Sequence, residues 1–546
     1  MSANQPQPSQ VHHVTEDGFH RRIGLFTATM LVAGNMVGSG IFIVSSDMAR
    51  DVGGAGWLLV LWLLTGVMTV LGGLCYAELA GAMPKAGGQY LFLKEAFSPL
   101  WGFLYGWSAF TVIQCGSIAA VAVAFTKFLG VLFPALGTGA EAILVKVPMA
   151  VHIPLQLPWM PEPVTIFERE HFTISTGQLI ATGVIALLTF VNCLGVARGA
   201  LVQNIFTVAK LFALALVIVM GLVVALDWGV VRQNLDTAWN ASLDTERVQR
   251  TVKLTDLAPT LAFVLVAGAA MVGSLFSADA WANVTLTAGE VKNPERNMPL
   301  SLVLGTCMVI GLYILCNLAY LAVLPIQGDA VLAKDLKKQA AINPSETAQI
   351  YRGKARELGI SQAQDDRVGT AVMDVASPGW GRVVMALGIM ISTFGCVNGM
   401  ILVTARLYYA MARDRLFFRA VGTLNSRGVP QASLIMQAVW SIVLVFSGTY
   451  SELLDYVIFA SLLFYALTVV GLIVLRKKRP DLHRPYRVPL YPVVPILYGL
   501  LCVAMMGTLL VVRPEYTWPG LILVALGIPV YFLWKMVPGR ATGPTG

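Results

Sequence analysis

The sequence predicts an all-α membrane protein of twelve transmembrane helices, a five-plus-five inverted repeat with helices one and six broken. Three observations carry this. Hydrophobic residues make up 56% of the chain and charged residues only 12%, against about 25% charged in a soluble domain. Apolar runs of about 20 residues, enough to cross a bilayer, recur along the whole length. Two of these runs carry matching interruptions, Met36-Val37-Gly38-Ser39-Gly40-Ile41-Phe42 and Met271-Val272-Gly273-Ser274-Leu275-Phe276. Glycine weakens a helix through backbone entropy, and serine through a hydroxyl that competes for backbone bonds. At mid-membrane such backbone survives only where it lines a cavity or is buried in protein. A pair of interruptions in corresponding halves marks the binding site of a secondary transporter.

A polar N-terminal tail, residues 1–22, opens the chain, with no signal-peptide pattern. Spans near 23–46, 55–80, 98–133, 174–193 and 200–226 make the first repeat, 23–226. An outer loop, 227–255, follows. The second repeat occupies 256–448 up to helix nine, with spans near 257–288, 299–324, 380–410 and 432–448. Helix ten, near 453–475 within 449–475, completes it. Residues 476–546 add two helices, near 490–512 and 517–536, and a C-terminal tail. An odd number of spans per half inverts one half relative to the other, so the two broken helices face each other.

The net charge of +8 is topological. With both termini in the cytoplasm, that side holds 20 of the 38 Lys and Arg, notably from Arg406 to Arg427 and at Arg476-Lys477-Lys478-Arg479. Most outer basic residues lie in the long loops 134–172, 227–255 and 325–378, which weigh little in the positive-inside rule. The expectation is a multi-pass protein of the cell membrane, plasma or inner, in contact with the lipid bilayer and not with nucleic acid. Loop 325–378 is the least membrane-like; Lys334-Asp335-Leu336-Lys337-Lys338 and Glu346 through Leu358 are expected to be helical and exposed. A solvated loop is the default for this region, and a lid over an entrance the alternative. The seven cysteines fall in apolar segments without metal-ligand spacing, and all six histidines lie outside the spans. No cofactor is expected, and a buried zinc site, a haem site and a core histidine relay are all disfavoured.

Several motifs, in order, resemble one family. Gly34-Asn35-Met36-Val37-Gly38-Ser39-Gly40-Ile41-Phe42 is followed by Tyr76-Ala77-Glu78-Leu79, Lys85-Ala86-Gly87-Gly88-Gln89-Tyr90 and Glu95-Ala96-Phe97. Asn192-Cys193 and the run Val202 to Leu211 come next, then Glu290-Val291-Lys292-Asn293-Pro294-Glu295-Arg296-Asn297-Met298-Pro299. Val397-Asn398-Gly399, Arg479-Pro480-Asp481 and Arg484-Pro485-Tyr486 close the series. Together these resemble the amino acid–polyamine–organocation superfamily, closest to its L-type amino acid transporter branch, from about Arg22 to Pro492. The resemblance implies alternating access with an amino acid as the substrate. Animal L-type members bind a glycoprotein subunit through a cysteine in the outer loop after span three. Residues 134–172 contain no cysteine, so no disulfide-linked heavy subunit is expected.

A broken helix offers both partners an amino acid needs: N–H groups with partial positive charge at one half-helix, free carbonyls at the other. Gly38, Ser39 and Gly40 are expected to cradle the carboxylate, and carbonyls near Met36 and from Phe276 and Ser277 to take the ammonium. A packing notch for a neighbouring helix is the plainer alternative. Phe276 resembles the aromatic that closes over substrate in relatives, though core packing would equally place it there. Lys210 lies mid-span, where an ionisable residue costs at least roughly 2.5–3.5 kcal/mol. In sodium-coupled relatives of the fold a cation sits between spans one and eight, and the resemblance implies that Lys210 stands in for it. It is either a tie to span-one carbonyls or a proton carrier. Asp279 sits where many neutral-substrate members have glycine and where exchangers of cystine and basic amino acids have aspartate. It would meet a cationic side chain, the ammonium, or its own half-helix backbone. Asn398 would steady the pocket or pin span eight to a neighbour. Glu78, Arg296 and Arg406 are expected to be snorkelling topology or gating charges.

No Ser/His/Asp set, HExxH or nucleotide loop is present, so no enzyme is expected. A channel would need a continuous polar lining, which the few intramembrane charges disfavour. The remaining alternatives are a polyamine or amine transporter, which would need carboxylates in place of the N–H cradle, and a non-transporting amino acid sensor on the same fold.

Overall fold

The computed structural model describes residues 19, 21–155, 164–241, 259–340, 347, 350, 351, 353–364, 367–447 and 450–536. Helices α1 (Leu25–Met36) and α2 (Val44–Val52) flank the first break, with a 3-10 turn at Gly40–Phe42 between them. Then come α3 (Ala55–Ala82), the short α4 (Gln89–Ala96) and α5 (Pro99–Leu132). Strands β1 (Ile143–Leu155) and β2 (Val164–Ser175) precede α6 (Thr176–Cys193) and α7 (Val196–Val224). After α8 (Trp228–Asp236), α9 (Pro259–Ser277) leads into the second break and a 3-10 helix at Trp281–Glu290. Helix α10 (Pro294–Val323) is followed by α11 (Ala330–Ala340), α12 (Ala355–Leu358) and α13 (Val368–Ala376). The last five are α14 (Gly381–Arg413), α15 (Gln431–Ser447), α16 (Tyr450–Lys478), α17 (Val493–Val512) and α18 (Pro514–Met536).

Among the described residues, ten helical stretches are long and apolar enough to cross a membrane, and α1 and α15 are shorter apolar helices. The 28 residues of α3 give about 42 Å of helix against a hydrocarbon core of about 30 Å. Their outward faces carry exposed Leu187, Phe212, Val223 and Leu500. In water such a surface would aggregate; in a bilayer it meets lipid tails. The chain is a multi-pass membrane protein. Local chemistry sets the ends. A capping box starts α6, with Ser175 Oγ accepting from the Gln178 N–H at 3.2 Å and Gln178 Oε1 from the Ser175 N–H at 2.9 Å. Gly195, at φ 137°, turns the chain into α7. Inside, α10 packs along α3, α14 packs along α5 and α7, and α1 lies against α10 and α7.

The structure departs from expectation at four places. It is not purely helical: β1 and β2 form an antiparallel hairpin in the connection after α5, pairing Val147 with Phe172 and Lys146 with Thr173. β-branched Val145 and Val147 alternate along β1 and suit a pleated strand. Second, the echo at Met271 to Phe276 is unbroken helix, because the break falls after Ser277. Third, Arg406 does not snorkel. It is 1% exposed, with Nε 2.7 Å from Glu290 Oε1 and a further bond to the Leu402 carbonyl. Glu78 is likewise buried, held by Arg476 at 2.5 Å and Arg484 at 3.5 Å, and accepting the Val488 N–H at 2.7 Å. An isolated charge there would be costly, and pairing offsets the desolvation. Fourth, the described part of the connection 325–378 is packed rather than merely solvated. Arg50 donates to the Ser361 carbonyl at 2.7 Å, and Gln327 to those of Ala49 and Gly53 at 2.9 and 3.0 Å, fastening it over α2. The Lys334–Lys338 stretch is helical as expected, with its charges exposed and Leu336 buried. Glu346, residues 242–255 and most of the tail 1–22 lie outside the described residues.

Candidate functional site

Where α1 stops, its last carbonyls need partners that the helix no longer supplies. Each finds one. The Val37 N–H closes the helix on Ala33. Lys210 Nζ, from α7, donates to the Gly34 and Val37 carbonyls, both at 2.7 Å. Cys396 Sγ, from α14, reaches the Asn35 carbonyl at 3.1 Å. The Tyr313 hydroxyl, from α10, lies 3.1 Å from the Met36 carbonyl. Ser392 Oγ, from α14, lies 3.1 and 3.0 Å from the Val37 and Gly38 carbonyls. Lys210 is fully buried, so its ammonium costs several kcal/mol that charge-assisted bonds to carbonyls offset. The break is thus held open by side chains from three other helices.

Beyond it, the backbone N–H groups of Gly38 and Gly40 donate to no other described residue. A Cβ built on Gly38 would meet only Cys396 Sγ within 4 Å, at 3.7 Å. Gly40 is different. A Cβ there would fall on Ser277 Oγ and lie 2.7 Å from Ser277 Cβ. Gly40 therefore serves first as the notch through which the two broken helices approach. Ser39 is buried beside it.

In the second break, the Ala278 N–H bonds the Ser274 carbonyl at 3.0 Å and the Asp279 N–H the Phe276 carbonyl at 3.1 Å. Ala280 then takes the left-handed conformation at φ 66°, which costs an alanine roughly 1–2 kcal/mol and redirects the chain into the 3-10 helix. The Tyr313 hydroxyl is also 3.0 Å from the Ser277 carbonyl. One phenol thus bridges the two carbonyls, Met36 and Ser277, expected to take an ammonium. Ser277 Oγ donates to the Gly273 carbonyl at 2.8 Å, so its hydroxyl serves its own helix. Phe276 is half-buried and packs against two separate apolar clusters, one of them holding Tyr90, Tyr105 and Tyr408.

Asp279 turns toward α16. Its Oδ1 accepts from the Tyr465 hydroxyl at 2.5 Å, and Tyr465 stacks on Trp281 at 5.3 Å between centroids. A small cavity beside it is lined by Thr69, Ser461 and Tyr498. Among the described residues, no cation pairs with Asp279.

For Asn398, the structure shows bonds to neighbouring helices. It donates to the Gly199 carbonyl and to Gln203 Oε1, both at 3.2 Å, and accepts from Asn192 at 2.9 Å. Its amide is spent pinning α14 to α6 and α7, not lining the breaks. Sequence reasoning also missed Tyr313, Ser392 and Tyr465. A lone tyrosine or serine in an apolar span carries no signal of its own; the one available clue was that an interrupted helix demands donors from its neighbours. Among the described residues, no group of three or more His, Cys, Asp or Glu could hold a metal.

The sequence profile of the amino acid permease family matches residues 23–532, which includes both breaks and every helix around them. The chain belongs to the amino acid permease family. This permease is 28% identical to the mouse b(0,+)-type amino acid transporter 1 over 96% of its own length and 90% of the relative's. It is 30% identical to the human large neutral amino acids transporter small subunit 2, over 95% of the permease and 82% of the relative. The human b(0,+)-type amino acid transporter 1 is 28% identical over 94% and 88%. Both kinds of relative are named for amino acids, and neither name describes an enzyme.

Proposed function

We propose that this permease moves L-amino acids across the cell membrane by alternating access, as an exchanger that works without a disulfide-linked heavy subunit. The observation that carries the reading is the first break, where carbonyls are held by Lys210, Tyr313 and Ser392 while the N–H groups of Gly38 and Gly40 stay undonated. That arrangement suits a carboxylate, and the names of the relatives support amino acids as the class. Twelve spans with cytoplasmic termini, arranged as five plus five inverted, complete it; the ten long apolar helices and two shorter ones support that count. The absence of cysteine from 134–172 supports a lone carrier. Exchange is favoured over proton symport because Lys210 is committed to two carbonyls. In proteoliposomes, labelled amino acid should enter only when unlabelled amino acid is inside, with little response to an imposed pH gradient. Proton-linked uptake into empty vesicles would overturn exchange.

Asp279 narrows the substrate. A half-buried carboxylate without a cation is expensive in a membrane, and a lysine, arginine or ornithine side chain would supply one. Losing a charge-assisted bond of roughly 1.5–3 kcal/mol corresponds to about a ten- to hundredfold affinity change. Asp279→Gly should therefore weaken cationic amino acids by that factor in competition assays and spare small neutral ones. Uniformly poorer affinity across both groups would show that the carboxylate serves the ammonium or the half-helix instead. An amine or polyamine carrier would need carboxylates at Gly38 to Gly40, and none is there.

A further inference from the structure

We propose that a groove between α6 and α15, on the outer face of the helix bundle, binds one anionic phospholipid. The groove measures about 610 Å³, within the range of about 300–1,000 Å³ typical of small-ligand sites. It is built in two parts. Its long wall is apolar, with Phe190, Ile435 and Val439, and these three are 62%, 49% and 58% exposed on helices that face lipid. One end is polar, with Asn425, Ser426 and Arg427. An acyl chain suits the first part and a headgroup the second.

The polar end is held in place. Asn425 Oδ1 accepts the N–H groups of Arg427 and Val429 at 2.9 and 3.1 Å, and its Nδ2 lies 3.4 Å from the Cys193 carbonyl. This fastens the turn against the last residue of α6 and sets Arg427 at the groove's mouth. Arg427 is exposed, and among the described residues its guanidinium meets no carboxylate. No Asp or Glu lines the groove. A phosphate therefore finds a cation there, while a headgroup's own ammonium would find no counter-charge. That asymmetry favours an anionic lipid over a zwitterionic one.

A second observation points to a ligand at a definite depth. Thr189 lines the groove and is only 6% exposed, yet its Oγ1 has no hydrogen-bond partner. A helical threonine ordinarily bonds the carbonyl one turn back, as Thr182 of the same helix does to Gln178 at 3.0 Å. Thr189 lies four residues before Cys193, about 6 Å along the helix axis. A hydroxyl about one turn below a phosphate site is where a glycerol ester carbonyl sits. The unspent donor of Thr189 is assigned to that ester.

Native mass spectrometry of the full-length protein, loaded from an equimolar mixture of phosphatidylglycerol and phosphatidylcholine, tests this. The wild type should retain one phosphatidylglycerol with about fivefold preference, the worth of one arginine near an anionic surface. Arg427→Ala should erase the preference, and Thr189→Val should weaken retention of both lipids. Ala186→Trp, which fills the groove from its wall, should abolish retention; should it fail to fold, Val439→Trp on the lipid-exposed wall serves the same end. Arg487→Ala, an exposed arginine outside the groove, should change nothing. Equal retention of the two lipids by the wild type would overturn the proposal. So would a preference that survives Arg427→Ala, or one that Arg487→Ala reduces equally, since either marks annular lipid only.

Discussion

Lys210→Ala is expected to reduce transport at least about tenfold, and up to about a hundredfold, with the protein still reaching the membrane. Among the described residues, the ammonium is the sole donor to the Gly34 carbonyl and one of two to that of Val37. Removing it strands a buried acceptor, at about 1–3 kcal/mol, until some other donor turns to it. The Gly38 N–H would turn back to the Gly34 carbonyl as in a regular helix and no longer be open to a ligand. Transport depends on the fraction of molecules with the break intact, so that free energy translates directly into rate. Ser392→Ala should be milder, because it removes one neutral hydroxyl hydrogen shared by two carbonyls. Of these, the Val37 carbonyl keeps Lys210 and only that of Gly38 loses its donor. Uptake by proteoliposomes holding equal amounts of each variant measures both. Equal losses for the two would place the lysine's importance elsewhere than in the carbonyls it holds.

Gly40→Val should abolish binding, through the neighbouring helix as much as through the ligand. A first side-chain carbon at 40 falls on Ser277 Oγ, and forcing added atoms into such a contact costs about 1–3 kcal/mol or more. The two broken helices must separate. Gly40→Ala carries the same Cβ and should be nearly as harmful, reducing substrate-induced thermal stabilisation at least about tenfold in apparent affinity. Pairing Gly40→Ala with Ser277→Gly should restore most of the loss, since the opposing side chain is gone. No rescue in the double variant would mean that the Cβ obstructs the carboxylate itself.

The first break was legible because Gly38-Ser39-Gly40 places two glycines and a serine within three residues of an apolar run. The second falls after Ser277, beside Phe276 and at Asp279 as expected of those residues, but not at the Gly273-Ser274 pair that echoes the first. Gly273 and Ser274 look like an interruption, yet the helix absorbs both. Gly273 lets Val44 pack closely, with Val44 Cγ1 2.7 Å from where its Cβ would stand. Ser274 spends its hydroxyl on Met271, at 3.0 Å, and Thr65, at 2.7 Å. The actual break needs no glycine, and Ala280 bears the left-handed turn instead. Lys210 was found because a charge amid apolar residues is conspicuous. Tyr313 was not, because an aromatic in a span resembles core packing until the two carbonyls it bridges are seen. The pairing of Arg406 with Glu290 and of Glu78 with Arg476 joins residues 116 and 398 positions apart. Nothing in local periodicity announces such partners, so both charges read as surface residues.

Competition for amino acid uptake by matched analogues tests the backbone cradle most directly. Proteoliposomes holding the purified permease take up labelled amino acid in exchange for unlabelled amino acid inside. Unlabelled parent amino acid, its α-amide and its decarboxylated amine are then added outside. If the N–H groups of Gly38 and Gly40 hold the carboxylate, the parent should compete at least about tenfold better than either analogue. An amide and an amine that compete as well as the parent acid would contradict the cradle and make the ligand an amine.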